Sequence, residues 1–160
     1  MTNPPARQFS LLQRATAADH DLLMTLIEEF CAVDQHVFDP ERVSRTLGPI
    51  LEHDLYGVVY LLLAPEQAAA GEYPVIGYAV LSWGYSLESG GREALIDEIY
   101  LRRRGEGIGS AIMEQIFEAM RAEGIVKMFL ETETHNDRAR RFYARSGFEQ
   151  DDSIWMSRDI

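Results

Sequence analysis

A chain of 160 residues, 46% of them hydrophobic, carries enough apolar material for one sizeable core and too little length for two comfortable domains, so a single domain over 1–160 is expected. Its net charge of -11 argues against unspecific binding to nucleic acid or to an anionic membrane, both of which need a basic surface, and suits a cationic partner. The lone Cys31 excludes an internal disulfide framework and a cysteine-based zinc site within the chain. His20, His36, His53 and His135 show no metal-ligand spacing, so no metal is expected.

In chain order, Phe9 to Arg14 reads as a first strand, and Thr16 with Asp19 marks a helix start. Leu22, Leu23, Leu26, Ile27 and Phe30 follow at helical spacing, and the helix gives out near Asp34. Pro40 opens a second helix running to about His53. Tyr56 to Leu63 is a dense apolar strand, Ala64 to Pro74 a surface turn, and Val75 to Ser86 another strand. Leu87 to Gly91 turns the chain into a strand over Ala94 to Leu101. After a glycine loop, Ile108, Ile112, Ile116 and Met120 put one apolar stripe on a helix that ends near Gly124. Val126 to Glu131 is the next strand, Asn136 to Gly147 a short capped helix, and Ser153 to Arg158 a last strand. No stretch approaches the roughly 20 apolar residues that span a bilayer. Met1 to Gln8 has no signal-peptide core, and the cytoplasm is the expected compartment.

Two stretches carry chemistry. In Arg104-Gly105-Glu106-Gly107-Ile108-Gly109-Ser110 a strand meets a helix through glycines. Glycine lets the backbone approach a ligand closely, and the first unpaired N–H groups of the helix point at an anion, so the segment is a phosphate cradle. The lysine of a kinase-like P-loop is missing, and Ser110 stands where the dinucleotide fingerprint needs its third glycine. The second stretch is Asn136 to Phe148, where Asn136 caps a helix whose Ala139, Phe142 and Tyr143 share a face.

The loop, Arg-x-x-Gly-x-Gly, resembles the acetyl-CoA pyrophosphate loop of the GNAT family, the Gcn5-related N-acetyltransferases. The second stretch is similar to the family pattern Asn-x-x-Ala-x-x-Phe-Tyr-x-x-x-Gly-Phe, met at Asn136, Ala139, Phe142, Tyr143, Gly147 and Phe148. The resemblance covers Ala94 to Phe148 closely and the earlier half through element order. It implies an α/β (α+β type) acyl-CoA N-acyltransferase fold: a mixed central sheet of six to seven strands flanked by about four helices. The connector before the loop is shorter than is usual in the family, Leu101 reaching Arg104 through Arg102 and Arg103 alone. That leaves open whether these two arginines reach a CoA phosphate or solvent.

The function implied is an acetyl-CoA-dependent N-acetyltransferase acting on a primary amine of a small cationic substrate by direct attack in a ternary complex. Two alternatives stay beside it: a non-catalytic acyl-CoA sensor of the same fold, and acetylation of a protein N-terminus or lysine. Homodimerisation is the family habit. A lysine-like amine must first lose a proton, at about 4–5 kcal/mol at pH 7. A partly buried carboxylate can take it. The resemblance places the base at Glu98 or Asp97; by the strand period Leu95, Asp97, Ile99 and Leu101 share one face and Ile96, Glu98 and Tyr100 the other. Glu98 is the first choice and Asp97 the second. Backbone N–H groups near Ile99, Tyr100 and Leu101 would hold the developing oxyanion, and Tyr143 would protonate the leaving thiolate. Arg103, Arg104, Gly105, Glu106, Gly107, Ile108, Gly109 and Ser110 would bind the pyrophosphate, with Asn136 and Tyr143 along the pantetheine arm. Acceptor candidates are Glu28, Glu29, Asp34, His36, Phe38, Asp39, Trp83, Tyr85, Glu131 and Glu133.

Overall fold

Gly57–Leu63 is apolar on both faces, a composition that a strand satisfies only between two layers. The computed structural model of the chain describes residues 9–66, 73–103 and 105–160 and places this strand inside such a sandwich. Met1–Gln8, most of the expected turn after Ala64, and Arg104 of the glycine loop lie outside the described residues. The elements are β1 (Leu12–Arg14), α1 (His20–Asp34), α2 (Pro40–Glu52), β2 (Gly57–Leu63), β3 (Val75–Ser86), β4 (Gly91–Leu101), α3 (Ile108–Ala122), β5 (Ile125–Leu130) and α4 (Asp137–Arg145). A 3₁₀ turn at Ala17–Asp19 leads into α1.

The strands form one sheet in the order β1-β2-β3-β4-β5, antiparallel through β4 and parallel between β4 and β5. Parallel pairing needs a crossover, and α3 supplies it. Alternate residues of β2 feed two cores. Val58 and Leu62 join Ile108, Ile112, Met113, Ile116 and Met120 of α3, whereas Val59 and Leu61 join Leu23, Leu26, Ile27 and Leu47 of α1 and α2. Ile112, Met113, Ile116 and Met120 are at most 1% exposed. Burying each contributes about 1.5–3 kcal/mol, which pins α3 and the loop before it to the sheet.

The Asn136 cap and the Pro40 helix start expected from sequence are made, and Asp39, expected only as an acceptor candidate, is found to cap α2. Asp39 accepts from the Arg42 N–H at 3.0 Å with Pro40 at the first helical position, and Asn136 accepts from the Ala139 N–H at 3.1 Å. Two expectations are corrected. The sheet has five strands among the described residues rather than six or seven. Ser153 to Arg158 is not a strand: it pairs with no described strand, and Ile154, Trp155 and Met156 are 87%, 74% and 92% exposed. Alternating apolar residues supply a pattern, but a strand also needs a neighbour to accept its ladder hydrogen bonds.

Two irregularities of β4 give the sheet an open end. Val80 pairs with Glu98 while Leu81 pairs with Ile96, so Asp97 is an extra residue, a bulge, and it is exposed. Pairing with β5 ends at Ile96↔Leu130, so Asp97 to Leu101 run on with no β5 partner.

Candidate active site

The open end of β4 runs through Arg102 and Arg103 into the glycine loop. Gly105, Glu106 and Gly107 take φ of 107°, 53° and 77°, three successive residues with positive φ, two of them glycines. Gly107 is the N-cap of α3 and makes no side-chain cap hydrogen bond. The first amide with a helical acceptor is that of Ala111, donating to the Gly107 carbonyl at 3.0 Å. Ahead of it, Gly109 and Ser110 are donors left over at the positive end of the helix. A Cβ on Gly109 would lie 3.3 Å from the Phe142 ring and 3.8 Å from the Leu101 side chain, so its absence lets α4 close on the loop. Ile108 anchors the same turn in the core.

The arginines before the loop are engaged by the protein itself. Arg102 forks onto Glu29 of α1, with Nε–Oε2 and Nη2–Oε1 distances of 2.7 and 2.6 Å, and the Tyr100 phenol donates to the same carboxylate at 3.3 Å. The Arg102 hydrogen bond holds the Glu29 carboxyl below the usual range, and Glu29 in turn raises Arg102. Arg103 pairs with Glu106 at 2.9 Å and with Glu66. Thus Arg103 sits at the loop, with two carboxylates against it, and Arg102 braces β4 against α1.

The bulge settles the geometry of the carboxylates. Because Asp97 adds one residue, the alternation changes phase: Ile96, Ile99 and Leu101 pack toward α3, and Glu98 joins Tyr100 on the side of α1 and α2. The grouping expected from unbroken alternation is therefore corrected. Glu98 is half-buried and receives a hydrogen bond from the Tyr78 phenol, O–O 2.7 Å. Burial pushes the Glu98 carboxyl up, the Tyr78 hydrogen bond opposes that, Asp97 adds to the rise, and His36 acts against it. Asp97 is exposed to solvent.

On the other wall, Tyr143 of α4 packs against Phe142 and Phe148 with ring centroids 5.3 and 6.0 Å apart. Burial raises its phenol and the Asp34 carboxylate adds to the rise, so it stays protonated at neutral pH. Asp34 lies 3.4 Å from His36, whose ring meets Phe30 edge-on at 6.5 Å; Phe30 in turn touches Tyr78 and Tyr100. The pair Asp34–His36 at the end of α1 thus acts electrostatically on both Glu98 of β4 and Tyr143 of α4, His36 on the first and Asp34 on the second.

Other acceptor candidates go elsewhere. Trp83 lies far along β3, paired with Ala94, its indole donating to the Asp54 carbonyl at 2.8 Å with Arg92 over the ring. Tyr85 is 75% exposed beyond it. Asp39 is spent as the α2 cap, Phe38 packs on the α1–α2 core, and Glu28, Glu131 and Glu133 face solvent. Residues not foreseen are Tyr78, Phe30 and the Glu29–Arg102 fork. The one available sign of Tyr78 was a phenol inside the apolar first half of its strand, Val75 to Leu81. A cavity of about 330 Å³ lies between α3, β5 and the turn after α4, and its lining brings no carboxylate or phenol. Among the described residues no group of three or more His, Cys, Asp or Glu could hold a metal ion, and no helix is long and apolar enough to cross a membrane.

The family model described as the acetyltransferase (GNAT) family matches residues 23–148. No curated protein matches the chain. Solved structures of similar fold include an integron cassette protein from the mobile metagenome of Cole Harbour Salt Marsh (22% identity, TM-score 0.78, covering 94% of this chain and 90% of that one). An aminoglycoside acetyltransferase from an uncultured soil metagenomic sample, in complex with sisomicin, is 16% identical with TM-score 0.70, covering 93% and 95%. A ribosomal-protein-alanine N-acetyltransferase from Brucella melitensis biovar Abortus 2308 is 15% identical with TM-score 0.69, covering 92% and 99%.

Proposed function

Because the chain belongs to the acetyltransferase (GNAT) family, we propose that it transfers the acetyl group of acetyl-CoA to a primary amine of a small cationic substrate by direct attack in a ternary complex. The observation that carries this reading is the half-buried Glu98, aimed by the bulge toward α1 at the point where β4 loses its β5 partner and runs into the anion-binding loop.

The chain's groups then divide the work. Amides of Gly107, Gly109 and Ser110, at the positive end of α3, hold the diphosphate, with Arg103 close by. The backbone of Ile99 to Leu101, unpaired toward β5, offers N–H groups along the thioester arm and to the negative charge that grows on its carbonyl oxygen. Glu98 takes the ammonium proton directly or through water, and the same carboxylate, with Asp34, favours a cationic acceptor. Taking that proton removes a barrier of about 4–5 kcal/mol at pH 7. Tyr143 supplies a proton to the departing thiolate; burial raises the phenol, and a thiolate in the same surroundings is penalised as well, which keeps the transfer near balance.

The soil aminoglycoside acetyltransferase lends support, since its fold accommodates a polycationic amine. The test is thiol release from acetyl-CoA over a panel of polyamines, aminoglycosides, amino acids and peptide N-termini. Turnover with a small amine is expected. Acetyl-CoA binding by calorimetry with no turnover on any member would overturn the enzyme reading in favour of a sensor.

A further inference from the structure

We propose that Tyr78 is the positioning residue of Glu98: its phenol holds Oε2 and leaves Oε1 as the oxygen that meets the acceptor's proton. This rests on the reading of Glu98 as base, and goes beyond it by assigning what fixes that base.

The placement follows from the ladder. Tyr78 and Val80 are two residues apart on β3 and so share a face, and the bulge at Asp97 sets Glu98 opposite Val80. Without the extra residue Glu98 would point to the α3 side and the phenol would have no partner. Tyr78 is 0% exposed, and its ring stands edge-on to Phe30 at 6.4 Å and tilted to Tyr100 at 6.3 Å. A ring packed on both flanks cannot swing, so the 2.7 Å bond holds Oε2 against the phenol. Oε1 has no hydrogen-bond partner among the described residues. A phenol in this core stays protonated throughout the working range, so it is always the donor.

The groups that face Glu98 come from three sides. Asp97 is its neighbour on β4 and Tyr100 shares its face of that strand, Tyr78 is on β3, and Cys31 of α1 with His36 beyond that helix lie opposite; Asp34 and Arg42 act on Cys31 from the same side. Of these, Tyr78 gives Glu98 a hydrogen bond. A hydrogen bond to the charged form favours it. Removing the phenol therefore lets burial push the carboxyl higher still.

Tyr78→Phe keeps the ring and its packing and removes only the hydroxyl. The Glu98 carboxyl is followed by carbon-13 NMR titration, its signal assigned with Glu98→Gln, while the pH–rate profile is measured on the same proteins. Expected is a titration midpoint about one to two pH units higher than in the parent, with the acid limb of kcat moving by the same amount and rate recovering at higher pH. An unmoved midpoint in a variant with a native-like amide spectrum would overturn the proposal. A midpoint that rises while the acid limb stays in place would uphold the Tyr78–Glu98 coupling and overturn Glu98 as base.

Discussion

Replacing Glu98 by Gln is the sharpest perturbation of the proposed reaction, because it changes the charge of one side chain and almost nothing of its shape. Gln can still accept the Tyr78 hydroxyl through its amide oxygen, so the 2.7 Å contact has a neutral successor and the fold should persist. What is lost is the proton acceptor. General-base catalysis is worth about 10²–10⁴-fold, or roughly 3–5 kcal/mol, and that range covers the 4–5 kcal/mol needed to neutralise an amine at pH 7. We therefore expect kcat/KM for the best amine to fall at least about 100-fold at pH 7 in a thiol-release assay, with acetyl-CoA affinity by calorimetry unchanged. The deficit should narrow toward pH 10, where the amine is increasingly neutral without help. Asp97→Asn, on the solvent side of the bulge, should leave the rate within about twofold. A fall of less than about threefold in Glu98→Gln would refute the assignment of Glu98 as base.

The same variant makes a stability prediction of definite sign. Burial raises the folded-state pKa of Glu98 above its unfolded value. Stability from this group is therefore fully present below the unfolded carboxylate range, about pH 4, and is lost as pH rises through the raised folded value. Gln has no such loss. Thermal melts should show Glu98→Gln gaining on the parent as pH rises from about 4 to 7; a gain on acidification instead would contradict the assignment of cause.

Three further outcomes rest on the geometry. Tyr143→Phe should lower kcat about 10- to 100-fold and leave acetyl-CoA affinity nearly unchanged, and unchanged turnover would remove the phenol from the mechanism. Gly107→Ala puts a side chain at φ 77° with nothing near it to clash, so only backbone strain of about 1–2 kcal/mol is added. Thermal melts should find the variant less stable by about that amount, and an unchanged melt would mean that the turn does not hold Gly107 in the left-handed region. Gly77→Ala drives a Cβ into the Tyr100 carbonyl oxygen across the β3–β4 ladder. Overpacking of about 2–3 kcal/mol should lower Tm by roughly 5–10 °C, and an unchanged melt would contradict that register.

Sequence was most informative where chemistry is local. A cap such as Asn136 needs only the next three residues, and the α3 stripe from Ile108 to Met120 needs only the helical period. A glycine turn declares itself by composition, so the strand–loop–helix cradle, the capped α4 and the family they resemble could all be read without coordinates. Strand Val75–Ser86 was recovered to its ends for the same reason, being bounded by turn-rich segments.

Tertiary structure decided whatever depends on a partner far away in sequence. Which of Asp97 and Glu98 faces α1 turns on a bulge, and a bulge is a property of two strands in register; one strand's alternation is silent about it. Tyr78 stands twenty residues from Glu98 and Glu29 seventy-three from Arg102, distances over which no local pattern carries information. The segment Ser153–Arg158 errs in the opposite direction, for it has the alternation of a strand and lacks the neighbour. Backbone preference and polarity are written residue by residue, whereas a strand's pairing, and with it the direction each carboxylate points, exists only once separate segments have met.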